Sequence, residues 1–150
     1  MWQDWRPRSH SKRTPSGTYY YLLDAQGSVV GLTNSAGTLV DSYTYEPYGG
    51  IQSQTESVPQ PFKWIGAVYD SATGLYHIGA RYYDPNFDRW TQLDPGNYGA
   101  LTDPQTLNRF TYGTDDPVNY QDPNGLGIKG FIVKMAIRDV LIPGFEHGTP

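Results

Sequence analysis

The chain has 150 residues, a mass of 16.8 kDa and a formal charge of −4, which fits one domain or a piece of one. An aromatic share of 15% against 17% charged residues excludes a disordered polar chain, and 17 Gly with 12 Pro exclude an all-helical fold. Zero Cys excludes a disulfide scaffold, a thiolate zinc site and a cysteine nucleophile, while the acidic balance gives no general attraction to nucleic acid.

Residues 1–17 hold the local basic patch, Arg6, Arg8, Lys12 and Arg13, among Ser, His and Pro. They lack the apolar core of a signal peptide and read as a flexible basic leader. All 13 tyrosines fall between Tyr19 and Tyr120, so residues 18–126 form an aromatic body and 127–150 a tail of different composition. Strand-like runs recur at Thr18–Leu23, Ser28–Thr33, Thr38–Tyr45 and Leu75–Tyr83. Between them stand Asp24–Gly27, Asn34–Gly37 and Asp70–Gly74, each opening on Asx and closing on Gly. An Asx side chain bonds the backbone ahead of it and Gly accepts positive φ, so these are hairpin turns. The polar stretch Gln52–Pro61 reads as a crossing loop. The fold expected is mainly β, built of antiparallel hairpins in an internal repeat that needs adjoining units, followed by a loop-rich C-terminal plug. From Gly127 onward Ile128, Phe131, Ile132, Met135, Ala136, Val140 and Leu141 fall near helical spacing, which predicts a short amphipathic helix ended by Pro143 and Gly144. No stretch approaches the roughly 20 apolar residues of a membrane span.

The three His residues have no ligand partner at i+3 or i+4, no serine sits in a nucleophile elbow, and no phosphate-binding glycine loop is present. No metal or cofactor is expected. The chain does carry Asp-Pro pairs at Asp84, Asp94, Asp103, Asp116 and Asp122. In each, Asp can accept backbone N–H bonds and Pro fixes φ, so a purely structural turn explains any single pair. Asp94 follows Arg89 closely, and Asp122 lies four residues ahead of Leu126, at the edge where body gives way to tail. Two carboxylates brought together do not both ionise cheaply, so one can act as acid while the other activates water; a neighbouring guanidinium, here assigned to Arg89, would steady the charge.

The ordered set Tyr43–Gly49, Thr73–Pro85, Arg89-Trp90, Asp94-Pro95, Asn108–Tyr112 and Pro117–Leu126 resembles the RHS repeat-associated core domain, the carboxy-terminal end of Rhs and YD-repeat proteins. Relatives of that family are the C subunits of insecticidal toxin complexes and, more distantly, teneurins. The resemblance implies a β-strand shell that encapsulates a C-terminal effector, usually a toxin used in interbacterial competition. It also implies a core that plugs the shell and cuts the chain once, as an aspartyl autoprotease, after a D-P-x-G-L motif. Carried onto this sequence, it implies Asp94 and Asp122 as the catalytic pair, Arg89 as the supporting arginine and Leu126–Gly127 as the scissile bond. Pro117, Pro123 and Gly125 then belong to the surrounding motif. The stretch Gly99–Thr106 is an insertion relative to common members. The partners implied are a longer YD-repeat shell or the chain's own C-terminal segment, and the location is secreted or at the cell surface, although no signal peptide is visible. The alternatives are a non-catalytic module whose aromatic ladder binds carbohydrate or a target-cell surface, and an orphan fragment without activity.

Overall fold

Three Asx-to-Gly turns organise the chain. Asp24 Oδ1 accepts the amides of Gln26 and Ser28 at 2.9 and 2.8 Å, and the amide of Gly27 closes onto Asp24 O at 3.0 Å. Asn34 repeats the arrangement with Ala36 and Thr38 at 3.0 and 2.9 Å. Asp70 does so with the Ala72 amide and the Thr73 hydroxyl, both at 2.9 Å. Those bonds, the Thr73 hydroxyl foremost, hold the Asp70 carboxyl below the usual carboxylate range.

The computed structural model describes residues 10–95 and 108–126, together with the backbone of 129–130. Strands β1 (Ser11–Thr14), β2 (Gly17–Leu23), β3 (Val29–Asn34), β4 (Leu39–Tyr45) and β5 (Ile51–Glu56) form one antiparallel meander in chain order. A second is built of β6 (Val68–Asp70), β7 (Leu75–Ile78), β8 (Arg81–Asp84) and β9 (Arg89–Trp90), and β10 (Tyr120–Gln121) pairs with β11 (Lys129–Gly130). The chain is mainly β and built of antiparallel hairpins, as expected from its turn spacing.

Four expectations need correction. The leader expected over 1–17 is not a separate segment at its C-terminal end, because Ser11–Thr14 pairs with β2 in the register Ser11↔Tyr20 to Thr14↔Gly17 and Lys12 Nζ donates to Pro59 O. Basic side chains do not oppose a strand whose pairing is made by the backbone. Gln52–Glu56, the first half of the stretch read as a crossing loop, belong to β5 and pair with β4; they are exposed, so their polarity is that of an edge strand facing water. The run Leu75–Tyr83 is not one strand but two, reversed at Gly79-Ala80 with Ile78 opposite Arg81. Of the helix expected from Gly127, Lys129 and Gly130 are instead paired in β11, and the rest of 127–150 lies outside the described residues, as does Gly99–Thr106.

Tyrosine makes the core because its ring is apolar and its hydroxyl can reach a backbone carbonyl. Trp64, Ile65, Ala67, Tyr76, Ile78, Tyr83, Trp90 and Tyr112 are buried together. Trp64 stacks on Tyr83 at 5.4 Å between centroids, and Tyr112 lies 4.9 Å from Tyr83 and 5.4 Å from Trp90. The hydroxyls of Tyr76 and Tyr83 donate to Gly49 O and Tyr48 O, each at 2.8 Å, which ties the second meander to the turn after β4. Burial pushes the ionisation of both hydroxyls well above the ordinary tyrosine range. A second cluster of Val29, Leu32 and Tyr43, flanked by Tyr19, Tyr21 and Phe62, lines the first meander.

The segment 122–126 is seated on the β7–β8 turn by direct backbone contact. The Ala80 amide donates to Asn124 O at 3.0 Å. A Cβ on Gly79 would stand 2.1 Å from Asn124 O, and one on Gly125 would stand 2.5 Å from Ile78 O; both residues also have positive φ, 57° and 63°. Gly37 has a φ of 80° but open space around its Cβ direction. Gly37→Ala is therefore expected to cost about 1–2 kcal/mol from the left-handed backbone alone. Gly79→Ala should cost roughly 2 kcal/mol beyond that, because the two backbones must separate. Thermal unfolding of the two variants side by side checks the order.

Candidate active site

A buried arginine anchors the site. The two-residue reversal at Gly79-Ala80 puts Arg81 opposite Ile78 on the inward face of the hairpin, and strand alternation then turns Tyr82 outward and Tyr83 inward. Arg81 is 2% exposed. A guanidinium taken out of water is tolerated only where charge and hydrogen bonds compensate it. Its Nη2 donates to Asp94 Oδ2 at 3.1 Å and to Asp122 Oδ2 at 2.5 Å, and its Cζ lies 3.9 Å above the Trp90 ring.

Each carboxylate is presented by its own scaffold. Asp94, 8% exposed, is fixed through its backbone: its amide donates to Arg109 O at 3.0 Å, and Arg109 Nη2 and Nε return bonds to Asp94 O at 2.6 and 3.2 Å. Asp122, 1% exposed, sits at the start of the loop held against Gly79. Its Oδ1 accepts the Leu126 amide at 3.2 Å, an amide also directed at Asn124 Oδ1. Asp122 thus reaches from the guanidinium to the amide of the residue at the expected cleavage point.

The structure brings Asp94 and Asp122 together and leaves Arg89 out of the pair. Arg89 neighbours Trp90 on β9, so alternation turns it to the opposite face, where it is exposed and its Nε donates to Phe87 O at 3.2 Å. The arginine on the carboxylates is Arg81. A signal for it lies in the sequence: once Gly79-Ala80 is read as a reversal, Tyr76, Ile78, Arg81 and Tyr83 share one inward face. Pro117 and Gly125 are buried, Pro123 and Leu126 are half-buried, and Gly127 lies outside the described residues. Among the described residues no group of His, Asp or Glu is placed to hold a metal ion.

Arg81→Met leaves two carboxylates buried without their shared cation and is expected to lower stability by about 3–5 kcal/mol. Arg89→Met, on the solvent face, should stay within about 0.5 kcal/mol of the wild type. Melting temperatures of the two variants decide between the arginines.

The teneurin YD-shell family model matches residues 10–118. The tRNA(Glu)-specific nuclease WapA of Bacillus subtilis subsp. natto is 34% identical over 110 residues, 71% of this chain and 5% of that protein. Toxin subunit YenC1 of Yersinia entomophaga is 32% identical over 140 residues, 88% of this chain and 13% of that protein. Among solved structures, a Photorhabdus luminescens Tc holotoxin pore superposes with a TM-score of 0.62 at 30% identity, over 73% of this chain and 5% of the matched one. The chain spans only a small part of the length of these relatives. The match over most of its length shows that the chain belongs to the teneurin YD-shell family.

Proposed function

We propose that this chain is the RHS repeat-associated core of a longer, secreted or surface-displayed YD-repeat protein, and that it cuts its own backbone once between Leu126 and Gly127. The observation that carries this reading is the contact of a single buried guanidinium nitrogen with both Asp94 and Asp122, the second of which also holds the Leu126 amide. Two carboxylates on one nitrogen repel each other when both are ionised, and a proton held by one of them removes that repulsion. The ionised member then takes a proton from water as the water oxygen attacks the Leu126 carbonyl carbon. The protonated member gives its proton to the Gly127 nitrogen as the C–N bond breaks. The products are a Leu126 carboxylate and a free Gly127 amine, with one water consumed. Arg81 stays charged throughout and steadies the negative charge that develops beside it.

The names of the relatives support an effector-bearing parent protein: one is a nuclease and another a toxin subunit. In this reading residues 127–150 begin the segment that cleavage releases, and the YD-repeat shell is the partner. The carbohydrate-binding alternative is weakened because Tyr43, Tyr76, Tyr83 and Tyr112 are buried, which leaves Tyr20, Tyr82 and Tyr120 as the exposed tyrosines among the described residues that were expected to form a ladder.

Intact mass spectrometry of the wild type beside Asp94→Asn and Asp122→Asn tests the proposal. The wild type is expected to divide at Leu126–Gly127 and both isosteric variants to remain whole. An undivided wild type, or cleavage that persists in both variants, overturns it.

A further inference from the structure

We infer that Trp90 is a positioning residue for Arg81, its ring face supporting the guanidinium where one nitrogen serves both carboxylates. A guanidinium carries five N–H donors. In Arg81 only Nη2 is engaged, whereas Nε and Nη1, both buried, have no hydrogen-bond partner among the described residues. Both carboxylates hold Nη2, while Nε and Nη1 are two further buried donors that a tilted or shifted guanidinium would offer to one carboxylate at the expense of the other. The Trp90 ring, 3.9 Å beneath Cζ, supports the group against that tilt, together with the two carboxylate bonds.

Trp90 is itself fixed on several sides. Its amide donates to Phe110 O at 2.8 Å, and its ring packs edge-on against Tyr83 at 5.8 Å and tilted against Tyr112 at 5.4 Å. The residue is 1% exposed. The aromatic core thus continues through Trp90 into the site, and the packing of the core helps to orient the guanidinium. The rate consequence of this inference rests on the self-cleavage reading; the contact itself does not.

The test replaces Trp90 alone with fluorinated tryptophans during cell-free synthesis, which weakens the negative ring face with little change of shape. Cleavage is followed as the chain is made, beside Trp90→Phe and Trp90→Leu. The expected result is a stepwise fall in rate with each added fluorine, reaching at least ten-fold, with a displaced pH profile and an unchanged melting temperature. Phe should retain part of the rate and Leu less. A rate that is flat across the fluorine series overturns the inference. If the unmodified chain does not cleave, the self-cleavage reading fails, and Trp90 is judged by NMR of the Arg81 Nε–H. A ring-shifted, slowly exchanging resonance that moves with fluorination sustains the inference, and one indifferent to fluorination overturns it.

Discussion

A guanidinium buried inside a β-hairpin is the constraint on which the C-terminal half of this chain depends. Left uncompensated, Arg81 would cost several kcal/mol, more than many core contacts contribute, so the fold around it is a set of answers to that cost. Asp94 arrives from the segment after β9, Asp122 from the segment after β10, and Trp90 from β9 itself. The stretch from Trp90 to Asp94 and the distant segment at Asp122 thus converge on one side chain. The two glycines at the β7–β8 turn and in the Asp122 loop let the backbones approach closely enough for this to happen.

The aromatic core and the charged site are one assembly. Tyr83 and Trp90 are directly opposite in the β8–β9 pair, and Arg81 is two residues from Tyr83 on the same face. The rings therefore supply both the apolar floor of the second meander and the surface on which the guanidinium lies. The tyrosine hydroxyls extend the same logic to the first meander, where Tyr45 donates to Val29 O at 2.6 Å. Links by Gln26 to Val118 O and by Gln121 to Gln26 O join the site-bearing C-terminal segment to the first hairpins.

The turns were legible in the sequence because Asx and Gly act locally, through bonds to amides two to four residues ahead. The pairing of Asp94 with Asp122 was legible only through the family resemblance, since turn chemistry explains either residue alone. Arg81 was missed in favour of Arg89 because the run Leu75–Tyr83 reads as continuous strand, in which Gly79 is easily passed over. Glycine accepts the positive φ of that reversal locally, whereas the approach of Asn124 is a tertiary fact. Similarly, β1 and β5 were hidden by polar composition, because an edge strand needs little apolar side chain when its backbone finds a partner.

The most direct test of a shared Arg81 site at the cleavage point is a crystal structure of the uncut Asp94→Asn chain, with Leu126–Gly127 in density. Arg81 is expected on the Trp90 face with Nη2 between residues 94 and 122, and the Leu126 carbonyl within reach of the pair. An Arg81 turned to solvent, or residues 94 and 122 held apart by intervening side chains, would contradict it.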